Sequence, residues 1–175
     1  MLKHWDKLLA TDCSVLGIKD YTIYPIFRVG STSLKAASDR EYVNEDIRNC
    51  KHIDVILRNP EERFISGLNE YSRINSMDIK ETWHLVEQKK LIDRHFSPQY
   101  IWLLHLYKFY RGEVTLRSFD FINDITDIHE RKDSTTKKKI PVLKEYVEID
   151  QRIMKHIGQR LRIGKIIEEH IHVLP

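Results

Sequence analysis

The chain of 175 residues is 41% hydrophobic and 31% charged, which excludes an intrinsically disordered protein and predicts one globular domain over residues 1–175. Its 29 basic and 26 acidic residues leave a formal net charge of only +3, so composition gives no reason to expect nucleic-acid binding. No apolar run approaches the roughly 18 residues of a membrane span, and the N-terminus lacks the apolar core of a secretory signal, so we expect a cytoplasmic protein without a membrane partner.

The first predicted strand covers the apolar residues 21–27 and leads into a polar turn. The turn holds an arginine, a glycine and three hydroxyl residues: Arg28, Gly30, Ser31, Thr32 and Ser33. Glycine permits a tight turn, and the first N–H groups of a following helix point at whatever lies before them. This order predicts a phosphate or sulfate site, and ordinary N-capping by the hydroxyl residues is the alternative.

A second strand is predicted over residues 52–57, and it is also followed by a turn and a helix. Arg58 leaves the end of this strand, Pro60 suits the start of the helix, and Ser66 lies inside it. In a parallel sheet both turns lie at the carboxyl ends of their strands, the edge where such sheets bind ligands. We therefore expect a second anion site on the same edge, formed by Arg58 and Ser66.

The remaining elements alternate between helix and strand. Phe64, Leu68 and Tyr71 have helical spacing, residues 98–110 are apolar on most sides and predict a buried helix, and residues 113–117 predict a third strand. The last third of the chain is predicted to be mostly helical. Polar residues crowd into two predicted loops, residues 72–80 and 131–139. Strands alternating with helices predict an α/β fold with a parallel β-sheet flanked by helices.

Two motifs carry a resemblance to a known family. Residues 27–33 read Phe-Arg-Val-Gly-Ser-Thr-Ser, and residues 58–66 read Arg-Asn-Pro-Glu-Glu-Arg-Phe-Ile-Ser. The pair resembles the loops of sulfotransferases that use 3′-phosphoadenosine 5′-phosphosulfate (PAPS), which typically read Pro-Lys-x-Gly-(Ser/Cys)-Thr-Ser and Arg-Asp-Pro-x-x-Arg-x-x-Ser. Residues 95–99, His-Phe-Ser-Pro-Gln, are similar to a His-(Trp/Phe)-x-Pro-Gln segment of carbohydrate sulfotransferases, and Tyr146 with Asp150 resembles the tyrosine and aspartate of the closing helix.

The resemblance implies a three-layer sandwich like that of sulfotransferases and nucleotide kinases. It also implies transfer of the sulfuryl group of PAPS, without a metal, to a hydroxyl of an acceptor that is most often a carbohydrate. By the same resemblance Arg28 and the residues from Gly30 to Ser33 hold the 5′-phosphosulfate, while Arg58 and Ser66 hold the 3′-phosphate. Two phosphates on one nucleoside explain why the chain carries two anion turns.

The acceptor hydroxyl needs a general base, for which histidine and glutamate are the usual residues. His95 is the first candidate because it lies in the family-like segment just before the predicted helix at 98–110. Glu70 is the second, because it follows Ser66 by one helical turn and can face the same cleft. Three other histidines are considered: His52, His84 and His105. We expect His84 and His105 to be structural, since both lie in apolar helical stretches.

Other positively charged and metal-ligating residues give weaker signals. Lys137 and Lys138 lie in a basic loop that can contact the 3′-phosphate or guide an anionic glycan, and a solvated loop is an open alternative. Cys13 and Cys50 are far apart, and His170 has no metal-type spacing with another histidine, so no metal is expected.

Two other functions stay open. A binding module that holds the nucleotide or a sulfated ligand without catalysis is indicated by Arg28, which stands where the family typically has lysine, and by the short chain. A nucleotide kinase is disfavoured because the chain has no GxxxxGK[ST] sequence. The sequence does not indicate the oligomeric state.

Overall fold

The computed structural model describes Trp5 and residues 12–127 and 140–171, which form a six-stranded mixed sheet flanked by helices. The strands in chain order are β1 Ser14–Ile18, β2 Tyr21–Tyr24, β3 Arg40–Val43, β4 Ile53–Leu57, β5 Glu113–Ser118 and β6 Arg160–Arg162. Their order across the sheet is β3-β1-β2-β4-β5-β6. The fold is therefore α/β, as the alternation of strands and helices predicted.

The prediction of a parallel sheet holds for the three central strands and is wrong at both edges. β2, β4 and β5, which correspond to the three predicted strands, run parallel to one another. β1 and β2 form an antiparallel hairpin because only Lys19 and Asp20 separate them, too few residues for the crossover that a parallel pair needs. β3 pairs antiparallel with β1, and β6 pairs antiparallel with β5.

The helices occupy the stretches between and after these strands. They are α1 Ser31–Ala37, α2 Pro60–Ile74, α3 Ile79–Glu87, α4 Gln99–Phe109, α5 Phe121–Ile125, α6 Lys144–Ile153 and α7 Ile163–His170. Short 3-10 turns cover Asn44–Asn49 and Met154–His156. Helix α4, predicted from its apolar sides, is buried over most of its length. Among the described residues, no helix combines the length and the apolar character needed to cross a bilayer.

Two predicted boundaries need correction, and a third prediction is not tested. The strand predicted to reach residue 27 ends at Tyr24, because Pro25 cannot donate to a ladder and the chain turns with Val29 N–H donating to Ile26 O. The loop predicted over residues 72–80 shrinks to residues 75–78, since Asp78 caps α3 by accepting from two first-turn N–H groups. The loop predicted over residues 131–139 lies outside the described residues.

The central strands bring the two predicted anion turns to one edge. Tyr24 at the end of β2 lies beside Val55 in β4, so both strands deliver their following turns to the same side of the sheet. All five residues of β4 are buried, which fixes this part of the sheet inside the core. The candidate site is built on these two turns.

Candidate anion-binding site

The turn after β2 has an unusual backbone. Arg28 has φ 62° and Gly30 has φ 67°, so two of its residues lie in the left-handed region. A left-handed arginine costs roughly 1–2 kcal/mol relative to its ordinary conformation. The surrounding contacts maintain this conformation, and backbone strain of this kind is concentrated at binding sites.

Gly30 is also required because the turn leaves no room for a side chain at this position. A Cβ atom at this position would lie 2.4 Å from Cδ1 of Ile122 in α5. Gly30 is also the N-cap of α1, and no side chain caps that helix among the described residues. The structure therefore does not show the alternative, in which a hydroxyl side chain caps α1. Ser31, Thr32 and Ser33 form the first turn of α1, ahead of the first intrahelical bond from Leu34 N–H to Gly30 O.

The turn after β4 is an ordinary capped helix start. Asn59 accepts hydrogen bonds from the backbone N–H groups of Glu61 and Glu62 at 3.0 and 3.1 Å, and Pro60 occupies the first helical position. Asparagine and aspartate cap helices about equally well. The asparagine that stands where the resembling family typically has aspartate therefore keeps the structural role of that position.

The two turns meet through the side chain of Arg28. Its Nε and Nη2 donate to the Ser66 hydroxyl oxygen at 3.2 and 2.7 Å, and its Nη1 lies 3.9 Å from Oε2 of Glu70. Ser66 and Glu70 are four residues apart on α2 and so face the same side of that helix. The predicted 5′-phosphosulfate turn and the predicted 3′-phosphate residue are thus in direct contact.

Arg58 is held firmly on the other side of this cluster. Its backbone N–H donates to Oε1 of Gln99, and Nε2 of Gln99 donates back to the Arg58 carbonyl, both at 2.9 Å. The guanidinium group lies over the ring of Phe119 at 5.0 Å, and its Nε is 3.5 Å from Oε2 of Glu62. Only 9% of Arg58 is exposed. The sequence placed Gln99 in the family-like segment 95–99 but did not indicate that it fixes the Arg58 backbone.

Arg63 is a buried cation that ties three segments together. Its Nε donates to the Phe27 carbonyl at 2.9 Å, its Nη1 donates to the Ser97 carbonyl, and its Nη2 has no hydrogen-bond partner among the described residues. Burial, together with the neighbouring charges of Arg28 and Arg58, lowers the pKa of Arg63 to about 10, and the carboxylate of Asp150 opposes this shift. Burial and the charges of Arg58 and Arg73 likewise outweigh Glu70 in lowering the pKa of Arg28.

The closeness of these guanidinium groups has a chemical consequence. Arg58 lies close enough to disfavour the charge of Arg28, and both lie close enough to disfavour the charge of Arg63, while all three are at least partly removed from water. Positive charge concentrated at one edge of a sheet, next to a glycine turn, favours an anion there. Because the guanidinium group offers several donors in a planar fork, phosphate and sulfate oxygens are suitable partners.

His95 lies against this cluster and is oriented by a carboxylate. Its Nδ1 is 2.5 Å from Oδ1 of Asp93, and its backbone N–H donates to the same oxygen at 2.8 Å. The imidazole packs edge-on against the ring of Phe27, with 5.5 Å between ring centroids. Sequence reasoning proposed His95 and missed Asp93, which lies two residues earlier and forms no recognisable motif with it.

Gly67 brings the His95 segment onto α2. A Cβ atom at Gly67 would lie 2.2 Å from the backbone oxygen of His95 and 2.8 Å from Cα of Phe96. Only a residue without a side chain permits this approach. The helix that carries Ser66 and the segment that carries His95 are therefore in backbone contact.

The second candidate base, Glu70, is tied to arginines. Arg73 donates to its two carboxylate oxygens at 3.1 and 2.8 Å. These hydrogen bonds, with the charges of Arg28 and His95, lower the pKa of Glu70 although partial burial opposes the shift. A carboxylate with a lowered pKa is a weaker proton acceptor than an unperturbed one.

The other predicted residues lie elsewhere. His105 is buried and pairs with the Tyr24 hydroxyl at 2.9 Å, a structural role as expected. His84 is on α3, but its side chain is 63% exposed and pairs with Glu87, so the expected apolar surroundings are wrong. His52 precedes β4, at the opposite end of that strand from Arg58, and contacts Thr115. Lys137 and Lys138 lie outside the described residues.

Comparisons of this chain with protein-family models, with curated proteins and with solved structures gave no match. Function must therefore be argued from the geometry of the site.

Proposed function

We propose that this protein is a sulfotransferase that moves the sulfuryl group of PAPS to an acceptor hydroxyl, on a carbohydrate. The observation that carries the proposal is the contact between Arg28 and Ser66, which joins two motifs that each resemble one phosphate-binding motif of the PAPS-dependent family. A ligand with anionic groups at both ends of a nucleoside matches two adjoining anion sites. A ligand with a single phosphate would use only half of them.

The residues present fit such a co-substrate. Arg28, with the N–H groups of the first turn of α1, would hold the 5′-phosphosulfate, and Arg58 with Ser66 would hold the 3′-phosphate. Arg28 lies between the two sites, so it can respond to both anions. PAPS supplies the sulfuryl group and a phosphate leaving group, and the chain supplies positive charge where negative charge develops on that leaving group.

The acceptor hydroxyl attacks sulfur, the bond from sulfur to the leaving phosphate oxygen breaks, and the hydroxyl proton must be removed. We propose His95 as the base. A hydrogen bond from its Nδ1–H to Asp93 leaves Nε2 with a lone pair, and it stabilises the imidazolium that forms when the proton arrives. Glu70 suits this role less well because arginines surround it and lower its pKa.

Several finer features belong to the same proposal. The helices on the mixed sheet would form the three-layer sandwich of sulfotransferases, the chain would act as one domain, and the protein would be cytoplasmic. Lys137 and Lys138, outside the described residues, would contact the 3′-phosphate or guide an anionic glycan. The partner is a hydroxyl-bearing acceptor, and neither nucleic acid nor a membrane is proposed.

Calorimetry tests the two-phosphate site directly. We expect adenosine 3′,5′-bisphosphate to bind at least about tenfold more tightly than adenosine 5′-phosphate, since charge-assisted hydrogen bonds contribute about 1.5–3 kcal/mol. Arg58→Ala should remove most of this preference. Arg48→Ala is the matched control, because it removes the same charge from an exposed arginine that pairs with Glu45 at 2.9 Å. Equal affinity for the two nucleotides would refute the two-phosphate site.

Transfer of labelled sulfate from PAPS to a panel of glycans then separates an enzyme from a binding module. His95→Asn places an amide donor where Nδ1–H lies but supplies no basic nitrogen, so we expect turnover to fall about 10²–10⁴-fold with bisphosphate affinity unchanged. Full turnover in His95→Asn would exclude His95 as the base. Tight bisphosphate binding without transfer to any glycan would support the non-catalytic binding module instead.

A further inference from the structure

A second cluster of polar side chains lies outside the anion site. Nε2 of His156 and Nε2 of His170 face each other at 2.8 Å, and Oε2 of Glu169 is 3.8 Å from the latter nitrogen. One ligand atom from each of the three residues lies within 4.8 Å of the other two. The two histidines are 14 residues apart, which explains why spacing along the sequence predicted no metal site.

The fold holds both halves of this cluster in place. His156 ends the 3-10 turn Met154–His156, and Gly158, with φ 84°, turns the chain into β6. The backbone of this turn is fastened to β5, because Gly158 N–H donates to Leu116 O at 2.8 Å and Leu116 N–H donates to Gln159 O at 3.2 Å. Glu169 and His170 are the last two residues of α7, whose inner face is buried. The histidines thus project from two anchored elements.

Gln159 determines which nitrogen of His156 can bind a ligand. Nδ1 of His156 is 3.0 Å from Oε1 of Gln159, and an amide oxygen only accepts hydrogen bonds. With the amide oxygen facing the ring, Nδ1 carries the proton and Nε2 presents its lone pair to His170. Histidines that ligate metals are oriented in this way, with the second ring nitrogen donating to a carbonyl or carboxylate.

Glu169 supplies the third ligand atom of the cluster. Its Oε1 lies 3.7 Å from Nζ of Lys165, one turn earlier on α7, while its Oε2 is directed to His170. Both Lys165 and Glu169 are exposed, so this ion pair is weak and does not prevent the carboxylate from moving. Two imidazole nitrogens and one carboxylate oxygen then converge at the end of α7.

We propose that His156, Glu169 and His170 bind a divalent transition-metal ion, with Zn²⁺ the ion that best suits them. Two nitrogens and one oxygen favour Zn²⁺ over Mg²⁺ or Ca²⁺, and the remaining tetrahedral position would be open to water. With Zn–N distances of about 2.0–2.1 Å, tetrahedral angles need the two nitrogens roughly 3.3 Å apart. The imidazoles must therefore separate by about half an ångström, a small change for two partly exposed side chains.

The bound ion would join the end of α7 to the turn before β6. Because the ligands come from separate segments, the folded chain holds the ion far better than the unfolded chain does, and binding raises the free energy of unfolding. Without a metal, the same geometry would be a neutral imidazole pair in which Nε2–H of His170 donates to Nε2 of His156. Added metal therefore raises the free energy of unfolding if the site binds an ion, and leaves it unchanged if the two histidines form only an imidazole pair.

The experiment titrates Zn²⁺ into the full chain by calorimetry and records the thermal midpoint with and without Zn²⁺. We expect one ion per chain and a rise in the midpoint that a chelator reverses. His156→Ala should abolish this rise, and Gln159→Ala, which removes only the orienting hydrogen bond, should weaken binding about 10-fold. Co²⁺ should give visible absorption typical of a tetrahedral site in the original chain and not in Glu169→Gln.

His84→Ala is the matched control. His84 and Glu87 form an exposed histidine–glutamate pair at 3.5 Å on α3, without a second imidazole. We expect this variant to bind Zn²⁺ as the original chain does. Equal Zn²⁺ affinity in His156→Ala and the original chain, or no binding to the original chain, would overturn the proposal. Neither result would bear on nucleotide binding, because the two sites share no residue.

Discussion

Substituting Gly67 by alanine tests whether α2 and the His95 segment are in backbone contact. The new Cβ would lie 2.2 Å from the His95 oxygen, 2.6 Å from the His95 carbonyl carbon and 2.8 Å from Cα of Phe96. All three are backbone atoms, so no side chain can rotate away to relieve the overlap. Either the segment at residues 95–96 or the helix must move by about 1 Å to restore normal contact distances.

Two opposing effects determine the size of the change. Alanine in a helix interior is favoured over glycine by about 0.5–1 kcal/mol. Overpacking a buried contact costs typically about 1–3 kcal/mol, and the backbone overlap at Gly67 places it at the upper end. We therefore expect Gly67→Ala to lower the free energy of unfolding by about 2–2.5 kcal/mol.

Gly164 in α7 is the matched control for this substitution. A Cβ there would lie 3.4 Å from the ring of Tyr107, an ordinary contact distance. Gly164→Ala should therefore leave stability unchanged or raise it by up to about 1 kcal/mol. Denaturant unfolding of both variants measures the difference between them. If Gly67→Ala were as stable as Gly164→Ala, the close approach of α2 to the His95 segment would be refuted.

The same substitution separates binding from the acceptor side of the site. Ser66 precedes Gly67 on α2, and its contact with Arg28 does not involve residues 95–96. When the segment at residues 95–96 moves and the helix does not, adenosine 3′,5′-bisphosphate affinity should change little in Gly67→Ala, while sulfate transfer falls because His95 is displaced. A loss of nucleotide affinity with transfer rates preserved at saturation would contradict this assignment of roles.

Three further predictions concern individual residues. Gly30→Ala forces a left-handed alanine against Ile122 and should cost about 1–2 kcal/mol in denaturant unfolding; an unchanged midpoint would contradict the turn geometry. Burial raises the pKa of Asp150 from 3.8 to about 6, so its contribution to stability is full below about pH 4 and falls by about 3 kcal/mol as pH rises through 6. The stability difference between the original chain and Asp150→Asn should therefore change over that interval and stay constant above it. Thr82→Val leaves the buried Ser72 hydroxyl without its partner at 2.7 Å and should cost about 1–2 kcal/mol, partly recovered when Ser72 is also replaced by alanine.

The sequence predicts the centre of the fold better than its edges. The strands that became β2, β4 and β5 are apolar runs long enough to stand out, and helices follow them with clear spacing. β3 and β6 are short and largely exposed, so they carry no hydrophobic pattern. β1 is buried, but Ser14 and Gly17 interrupt its apolar pattern, and a tight hairpin joins it to β2. The antiparallel edges follow from these three strands, which local patterns do not mark.

The candidate site, like the fold, is predicted from the sequence only where short local motifs mark it. Arg28, Arg58 and Ser66 can be found from the sequence because each lies in a short motif at the end of a strand or the start of a helix. Arg63 and Gln99 hold those motifs in place through hydrogen bonds to residues 34 to 41 positions away. Both residues lie in the two family-like segments at 58–66 and 95–99, but the sequence does not show which distant groups they contact. Motifs therefore predict the candidate anion-contacting groups, and only the fold shows which contacts position them.

The arginine at position 28 fits this particular site better than a lysine would. Its Nε and Nη2 both reach the Ser66 hydroxyl, while its Nη1 is turned toward Glu70. A lysine ammonium has three donors, but it presents them from one point and cannot make the planar, two-pronged contact that the guanidinium makes with Ser66. The fork also provides a route for binding: an incoming anion can take over the donors now given to Ser66, which frees the serine hydroxyl to donate to the same ligand. An arginine at this position remains charged despite its partial burial, whereas a lysine there would lose its charge more readily, so the arginine keeps positive charge where the two motifs meet.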